Sequence, residues 1–284
     1  MLPKVLSIAG SDSGGGAGIQ ADLKAFAACG VHGMTAITAI TAQNTVGVTA
    51  VHAIPPEVIV AQVRAVADDI GVDAVKIGML GDRATIEAVA SALGELPDTT
   101  PVVIDPVMVS ESGAVLLEPE ARTALVEELV PRATVLTPNV PEARTLVGEN
   151  PGTGDIDVES LARRVHALGP SAVVVTGGHR EQITDVFFDG RRLVELHGER
   201  HEDGAAHGSG CTHSSVLAAR LAWGDEPLEA ARAARELAAR AVAQGLRQVG
   251  AGPGPVDILG IAGKPDARAL FASSEALGID TFLA

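Results

Sequence analysis

The chain has 284 residues with a formal net charge of −15, 46% hydrophobic residues and only 2% aromatic residues, with no tyrosine. The negative charge repels polyanions and aromatic stacking platforms are scarce, which argues against nucleic acids and anionic membranes as partners. Two cysteines give no disulfide framework, and neither a signal-peptide pattern nor an apolar run of about 18 residues occurs, so a cytoplasmic protein is expected.

Short β-rich runs alternate with segments of helical periodicity along the chain. Residues 5–9 form a predicted strand that enters a glycine-rich loop at 10–16, and a helix is expected over 19–29. Further strands are predicted at 34–40, 46–54, 74–77, 102–105, 134–137 and 172–176, with a hairpin over 183–196. Helices are predicted at 57–70, 82–93, 119–130, from 141, and at 158–168, 210–222 and 227–246. The alternation predicts an α/β fold with a mostly parallel sheet between two helical layers.

Polar motifs follow most of the predicted strands. They are residues 10–18, Gln43-Asn44, Gly78-Met79, Asp105-Pro106, 137–139 and 176–179. Ligands of open α/β sheets bind at the carboxyl ends of the strands, so these motifs are expected to meet in one site. The first of them matches a GxGxxA pattern at 16–21, but no acidic residue stands about 20 residues further on, which disfavours a dinucleotide site. A substrate loop and a bare strand-to-helix turn both stay open there.

The segment from His207 to Thr212 places small residues before an Ala/Leu-rich helix. The amides of Gly208 to Cys211 are expected to be unpaired at the helix start, where they and the helix dipole would bind an anion. Cys211 at this positive end is expected to have a lowered thiol pKa and to serve as a base or polarising group. An inert cysteine in a helix cap is an equally good alternative. Cys29 is predicted to be a small core residue.

Acidic residues stand at two predicted strand ends, where they could position Mg²⁺ beside phosphates. Asp105 follows one strand, and Asn139 with Glu142 follows the next. A turn cap for Asp105 and a first-turn helix acid for Glu142 are the alternatives. Asp22 could bind a substrate amine or simply be solvated. The histidines have no metal-ligand spacing and the serines no GxSxG frame, which disfavours zinc sites and hydrolase triads.

Residues 9–24, with the sequence AGSDSGGGAGIQADLK, closely resemble the N-terminus of bacterial hydroxymethylpyrimidine/phosphomethylpyrimidine kinases. Further similar motifs follow in the same order. They are TAQNT at 41–45, KIGML at 76–80, DPVM at 105–108, LTPN at 136–139, GGH at 177–179 and HGSGCT at 207–212. The resemblance spans about residues 5–257.

The resemblance implies a ribokinase-like three-layer α/β/α sandwich, with one kinase domain over residues 1–260 and an extension of unknown role at 261–284. It also implies ATP-dependent phosphorylation of 4-amino-5-hydroxymethyl-2-methylpyrimidine, and then of its monophosphate to the diphosphate, in thiamine biosynthesis. Members of this family use Mg-ATP and commonly form dimers. ATP, Mg²⁺ and a homodimer are therefore expected, while the need for a monovalent cation stays open.

Motif positions in the family imply a role for each candidate site residue. The residues expected to line the pyrimidine pocket are Gly10, Asp22, Gln43 and Met79. Those expected to organise Mg²⁺ are Asp105 and Glu142, and those expected to hold the transferring phosphoryl group are Gly208, Gly210 and Cys211. The residues expected to bind the nucleotide are Asn139, Thr176, Gly178 and Ser209. The side-chain amide of Gln43 can both donate to and accept from an aminopyrimidine edge.

Three positions depart from the family pattern. Thr176 stands where the family often has lysine, His213 stands where leucine is usual, and no histidine follows Gly254-Pro255-Val256-Asp257. The missing cation at Thr176 motivates one alternative, a catalytically inactive pyrimidine- or nucleotide-binding regulator. The nearer alternative is a pyridoxal or pyridoxine kinase of the same fold, which would stop at a monophosphate.

Overall fold

The computed structural model of the chain describes residues 1–110, 113–152, 157–177, 183–198, 201 and 204–263. The predicted nucleotide ligand Gly178 and residues 264–284 of the predicted C-terminal extension lie outside these ranges. The single domain over 1–260 therefore stays a prediction. Within the described residues, no helix combines the length and the apolar character that crossing a membrane requires.

An eight-stranded sheet forms the centre of the described residues, with the order β10-β9-β8-β7-β6-β5-β1-β2. Its strands are β1 Lys4–Ala9, β2 His32–Ile37, β5 Ala74–Ile77, β6 Val102–Ile104, β7 Val135–Leu136, β8 Val173–Val175, β9 Ile183–Phe188 and β10 Leu193–Gly198. A separate antiparallel pair consists of β3 Ala39–Gln43 and β4 Val48–Ala53. In the large sheet the six strands β1, β2, β5, β6, β7 and β8 run parallel to one another. Strand β9 is antiparallel to β8, and β9 and β10 form the predicted antiparallel hairpin.

Helices cover both faces of the large sheet. They are α1 Gly18–Ala28, α2 Pro56–Asp69, α3 Arg83–Leu93, α4 Ala121–Ala124, α5 Val140–Leu146, α6 Val158–His166, α7 Ser209–Ala222 and α8 Pro227–Ala243. Leu6 and Ile8 of β1 face the apolar core that includes α2 to α6, whereas Val5 faces the core shared with α1, α7 and α8. Successive strand residues point to opposite faces, so a strand buried on both sides must be apolar throughout. The three-layer α/β prediction is confirmed.

Two predicted elements are divided in the structure. The β-rich run 34–40 breaks at Thr38, whose hydroxyl donates to the carbonyl of Met79 at 2.8 Å, and the chain then leaves the large sheet for the β3–β4 pair. The helix predicted over 119–130 has only one α-helical turn, α4, followed by a π turn at Leu125–Leu129 and a 3₁₀ turn at Val130–Arg132. Pro131 lacks an amide hydrogen and cannot continue an α-helical pattern.

Candidate active site

A cavity of about 180 Å³ opens at the carboxyl ends of β1, β5, β6, β7 and β8. Every predicted site residue that the structure describes lines it, except Asp22. These residues are Gly10, Gln43, Met79, Asp105, Asn139, Glu142, Thr176, Gly208, Ser209, Gly210 and Cys211. Residues distant in sequence therefore meet at one end of the parallel strands, as expected for an open α/β sheet.

The start of α7 presents backbone amides to this cavity. Helix α7 begins at Ser209, and the amides of Gly208, Gly210 and Cys211 have no hydrogen-bond acceptor among the described residues. The expectation of a free amide at Ser209 was wrong, because it donates to the carbonyl of Ala206 at 2.9 Å. Three open amides at the positive end of a helix still form a cradle that suits a phosphoryl group. We call Gly208–Cys211 the phosphate cradle.

Glycine is required at position 208 for two reasons. Its φ of +82° lies in the left-handed region, and a Cβ there would stand 1.8 Å from the carbonyl oxygen of Gly16. The cradle therefore packs directly on the N-terminal glycine loop. His207 joins the same two loops, since its Nε2 lies 3.0 Å from Oδ2 of Asp12.

Asp12 organises the N-terminal glycine loop, a role that the sequence analysis did not assign. Its carboxylate accepts the amides of Gly14, Gly16 and Ala17 at 2.8 to 2.9 Å, and it is 1% exposed. Burial alone would raise its pKa, but the hydrogen bond with His207 and the loop amides hold the pKa below its usual range. An aspartate two residues before a glycine is a known turn signal, so the residue could have been singled out.

Gly10, Met79 and Gln43 form one wall of the cavity. A Cβ at Gly10 would stand 2.2 Å from the Met79 methyl carbon, so only glycine lets this methyl group approach the loop. The backbone of Gln43 is fixed by Ser13, whose hydroxyl donates to its carbonyl at 2.6 Å. Oε1 of Gln43 has one long contact, 3.4 Å from the hydroxyl of Thr41. An apolar surface beside an amide suits a flat aminopyrimidine.

Asp22 does not line the cavity, so its predicted contact with substrate is corrected. The residue is fully buried, and its carboxylate accepts from Lys76 at 2.9 and 3.1 Å and from the hydroxyls of Ser7 and Ser215. A buried carboxylate needs such partners, and here they come from the protein. It is not solvated either, which was the other alternative.

Lys76, the first residue of the KIGML motif, is a cation in the cavity wall whose role is not evident from the motif. Burial opposes its charge, but the neighbouring acids, Asp22 first and then Asp105, raise its pKa above the usual range. It therefore stays charged and supplies a positive potential under the cavity. Lysine is almost never fully buried unless it is paired with an acid. Its place inside a β-rich run was therefore the sequence signal for a buried acidic partner.

Asp105 and Glu142 are buried acids in the same wall. Burial, and then the charge of Asp105, raises the pKa of Glu142 to about 8, and burial raises the pKa of Asp105 despite the nearby Lys76. Glu142 also completes a capping box. Its Oε2 accepts the backbone amide of Asn139, and its own backbone amide donates to Asn139 Oδ1, both at 2.9 Å. Glu142 is therefore both a first-turn acid of α5 and a residue of the cavity wall.

This pair of acids fits a magnesium ion that is shared with phosphates. Two ionised carboxylates that are shielded from water repel each other, and a divalent cation would offset both charges. Oδ2 of Asp105 is 3.9 Å from the Cβ position of Gly210, so the acid lies beside the phosphate cradle. Among the described residues, no cluster of three or more metal-ligating side chains exists. Mg²⁺ commonly uses one or two carboxylates with water and phosphate oxygens, which agrees with this donor set.

The predicted low pKa of Cys211 was wrong. The residue is partly buried, and loss of solvent raises the pKa of its thiol to about 12. Lys76 and the Gly18 amide act in the opposite direction, while Asp22 and Asp105 add to the increase. The thiol therefore keeps its proton at pH 7 in the ligand-free protein.

Two of the three described nucleotide-side candidates, Asn139 and Thr176, are adjacent in the structure. Their backbones form an isolated parallel bridge, and the amide of Thr176 donates to the carbonyl of Pro138 at 2.9 Å. The carboxylate of Asp185 accepts the amide of Gly177 at 2.9 Å and thereby fixes the next residue of this loop.

Comparison with known proteins agrees with this geometry. The family model for phosphomethylpyrimidine kinase matches residues 12–257, which is most of the chain. The chain belongs to this family. A hydroxymethylpyrimidine/phosphomethylpyrimidine kinase of Rhizobium meliloti is 49% identical over 259 residues, covering 90% of this chain and 97% of the relative.

Solved structures from two kinds of kinase have this fold. A Bacillus subtilis pyridoxal kinase in complex with ADP is 40% identical with a TM-score of 0.82, and the match covers 93% of this chain and all of that one. A Clostridium difficile phosphomethylpyrimidine kinase is also 40% identical, with a TM-score of 0.72 and coverage of 82% and 96%. The ribokinase-like expectation of the sequence analysis is confirmed at the level of the fold.

Proposed function

We propose that the protein transfers the γ-phosphoryl group of Mg-ATP to 4-amino-5-hydroxymethyl-2-methylpyrimidine, and then a second phosphoryl group to the monophosphate. One observation carries this proposal. A single cavity joins the phosphate cradle to the wall of Gly10, Gln43 and Met79, so a flat heterocycle and a phosphoryl group fit side by side. Family membership supports the same substrate pair.

Phosphoryl transfer depends mainly on positioning and on charge stabilisation, and this chain offers both. The three open amides of the phosphate cradle would stabilise negative charge on the transferred group, with Lys76 adding positive potential from below. Asp105 and Glu142 would hold Mg²⁺, which supplies further charge neutralisation when bound. Gln43 would orient the pyrimidine, and Asn139, Thr176, Ser209 and Gly178 remain the proposed nucleotide side.

Cys211 serves this reaction better as a neutral thiol than as a resident thiolate. At pH 7 a thiol with a pKa of about 12 is ionised in about one molecule in 10⁵. In a loose transition state the attacking oxygen forms little bond before the phosphoryl group has left, so no strong base is needed early. We propose that the thiol forms a hydrogen bond with the hydroxymethyl group and orients it for attack, and that the hydroxyl proton passes late in the transfer to an oxygen of the transferred phosphoryl group.

Pyridoxal kinase activity is the second candidate. The observation in its favour is that the Bacillus subtilis pyridoxal kinase superimposes on the chain with the same 40% identity as the phosphomethylpyrimidine kinase and a higher TM-score. Pyridoxal and the pyrimidine alcohol are heterocycles of similar size that carry a hydroxymethyl group. The two activities differ in their end product, because pyridoxal kinase action stops at a monophosphate.

A coupled ADP-release assay tests the proposed function on the purified full chain. The pyrimidine alcohol, its monophosphate and pyridoxal are supplied separately with Mg-ATP, and the products are identified by mass. We expect turnover of both pyrimidines, a diphosphate as final product, and kcat/KM for pyridoxal at least tenfold lower. Gln43→Leu is expected to raise the KM for the pyrimidine alcohol about tenfold, as loss of a hydrogen bond to the substrate predicts.

Three outcomes of this assay would contradict the proposal. A preference for pyridoxal with a monophosphate product would favour the second candidate. Turnover of the alcohol that ends at the monophosphate would remove the second phosphorylation. Nucleotide binding without turnover of any acceptor would favour the inactive regulator that the change at Thr176 suggested.

This proposal also includes a homodimer, a cytoplasmic location and Mg²⁺. It leaves open whether a monovalent cation is needed. The resemblance to the family supports the homodimer, and the acid pair supports Mg²⁺.

A further inference from the structure

His213 is a buried polar side chain that the proposed mechanism does not use. It lies in α7, is 5% exposed, and its Nε2 atom has no hydrogen-bond partner among the described residues. A buried nitrogen without a partner costs about 1–3 kcal/mol, so such a group calls for an explanation. The imidazole also lines the active-site cavity. Nε2 itself has almost no solvent exposure, so a ligand in the cavity can supply the missing partner only when the ring turns about χ2.

The position of His213 in α7 brings it to the nucleotide side of the phosphate cradle. Residues three and four apart share one face of a helix, so His213 lies on the face of Gly210 and Ser209. Helical side chains also tilt toward the N-terminus, which directs the imidazole back along α7. Thr176, a proposed nucleotide residue, lines the same cavity.

The charged groups around His213 are already engaged with other atoms. Asp185 of β9 binds the amide of Gly177 with one carboxylate oxygen, and its other oxygen lies 3.5 Å from Nε of Arg235 in α8. Burial lowers the pKa of the His213 imidazole, while Asp185 and Arg235 act on that pKa in opposite directions. A neutral imidazole has one donor and one acceptor nitrogen, and it can rotate about χ2 to present either edge.

We infer that the imidazole of His213 forms a hydrogen bond with the bound nucleoside triphosphate, on the side of the phosphate cradle that faces Thr176. This inference rests on the proposed use of ATP. It gives the unpaired nitrogen a partner in the nucleotide complex and assigns the residue to nucleotide affinity. The pyrimidine wall of Gly10, Gln43 and Met79 would be unaffected.

Thr212 provides a matched control next to His213 in the same helix. Its hydroxyl is likewise buried without a hydrogen-bond partner among the described residues, but the residue does not line the cavity. Replacing either buried polar group by an apolar one of similar size removes an unsatisfied group and should not lower the melting temperature of the nucleotide-free protein. Only the change at His213 should alter nucleotide binding.

The test compares His213→Leu, His213→Gln and Thr212→Val with wild type in the full chain. Calorimetric titration measures the Kd of ATP without pyrimidine, and steady-state assays measure the KM of ATP and of the pyrimidine alcohol. For His213→Leu we expect a Kd and KM for ATP about tenfold higher, which corresponds to about 1.4 kcal/mol, with the pyrimidine KM unchanged. The glutamine variant, which keeps a polar amide there, should recover most of the affinity. Thr212→Val should bind ATP as wild type does.

Three results would overturn the inference. In the first, His213→Leu binds ATP as tightly as wild type. In the second, it loses affinity for ATP and for pyrimidine alike, which is the sign of a general structural defect. In the third, Thr212→Val loses as much ATP affinity as His213→Leu. If His213→Leu does not fold, the glutamine variant and Thr212→Val decide between these results. Wild-type turnover of the pyrimidine is measured first, so failure of the proposed function is seen independently.

Discussion

Two opposing effects determine the state of Cys211. A helix N-terminus stabilises a thiolate by up to about 2 kcal/mol, whereas the rise of the Cys211 thiol pKa from 9.0 to about 12 corresponds to a net cost of about 4 kcal/mol. Burial is therefore the larger effect, and the pKa rises to about 12 even though Lys76 and the Gly18 amide favour the thiolate. The sequence showed the position of the cysteine at a helix start but not the loss of solvent around it.

The two phosphorylation steps should respond differently to loss of the thiol. The alcohol must release a proton, whereas the monophosphate has a second pKa near 6 and is largely deprotonated at pH 7. We expect Cys211→Ala to lower kcat/KM for the alcohol about tenfold and for the monophosphate about threefold or less, because only the alcohol hydroxyl loses a hydrogen-bond partner. Separate rate assays on each acceptor measure this. Between pH 6 and 9, the wild-type alcohol rate should show no inflection from a thiolate, because the thiol pKa lies well above that range.

The matched control for this prediction is Cys29→Ala. Cys29 packs partly buried against the core shared by α1, α7 and α8 and lies outside the cavity, so both rates should stay close to wild type. Equal losses of the two rates in Cys211→Ala would contradict a role of the thiol in orienting the alcohol hydroxyl.

The sequence could place most of the candidate site but not its charge partners. Glycines, strand-end acids and the helix start are local signals, and the structure brings the described ones to one cavity. The pairing of Asp22 with Lys76 joins residues that are 54 positions apart. No local pattern shows which cation a buried acid will meet, and Asp22 was accordingly assigned to substrate. The unpaired His213 nitrogen is equally visible only after packing is known.

The effect of a helix cap on stability can be separated from its effect on catalysis. Asp82 caps α3, since its Oδ1 accepts the backbone amide of Thr85 at 2.8 Å. Asn139 caps α5 in the same way, but its capping box also holds the carboxylate of Glu142 in the cavity wall. The two caps therefore have equal local roles and different distances from the chemistry.

Removing each cap should have the same effect on stability and different effects on rate. We expect Asp82→Ala and Asn139→Ala each to lower the free energy of unfolding by about 1 kcal/mol, which urea titration measures. Only Asn139→Ala should also lower kcat, about tenfold or more, because Asn139 lines the cavity and is a proposed nucleotide residue. Asp157→Ala, which removes the cap of α6, serves as a second control with unchanged kcat. An equal loss of kcat in all three variants would contradict the separation.

The order of the strands and helices along the chain was easier to predict than the points at which a predicted element breaks in two. Short β-rich runs predicted the strands of the large sheet, and the predicted β9–β10 hairpin is present, with Asp189-Gly190, a pair typical of type I′ turns, between its strands. The change of sheet at Thr38 depends on a hydrogen bond to the carbonyl of Met79, 41 residues away. β-propensity is the same in both sheets, so the run 34–40 contained no signal for the break.

The stability of the whole molecule should depend on pH through the acids of the cavity. The pKa of Glu142 is raised from 4.5 to about 8 in the folded chain, so the folded state keeps a proton that the unfolded state releases. Its contribution to stability is therefore fully present below pH 4.5 and is lost as the pH rises toward 8. Asp189 has the opposite sign. Backbone and Arg192 contacts outweigh burial and lower its pKa to about 2, so its contribution appears above 3.8 and is lost toward pH 2.

We therefore expect the metal-free protein to lose stability between pH 5 and pH 8, and Glu142→Gln to reduce this loss. The reason is that glutamine keeps the size of the side chain but cannot ionise beside Asp105. Calorimetric melting at pH 5, 6, 7 and 8 measures the slope, with Asp189→Asn as a control that should lower the melting temperature equally at all four pH values and leave the slope unchanged. If Glu142 holds Mg²⁺, excess Mg²⁺ should restore stability to wild type at pH 8 and have little effect on Glu142→Gln, since the cation offsets the charge that folding buries. A wild-type protein whose melting temperature does not change across this range would show that Glu142 is ionised in the fold, and the acid pair would then need another cation to balance it.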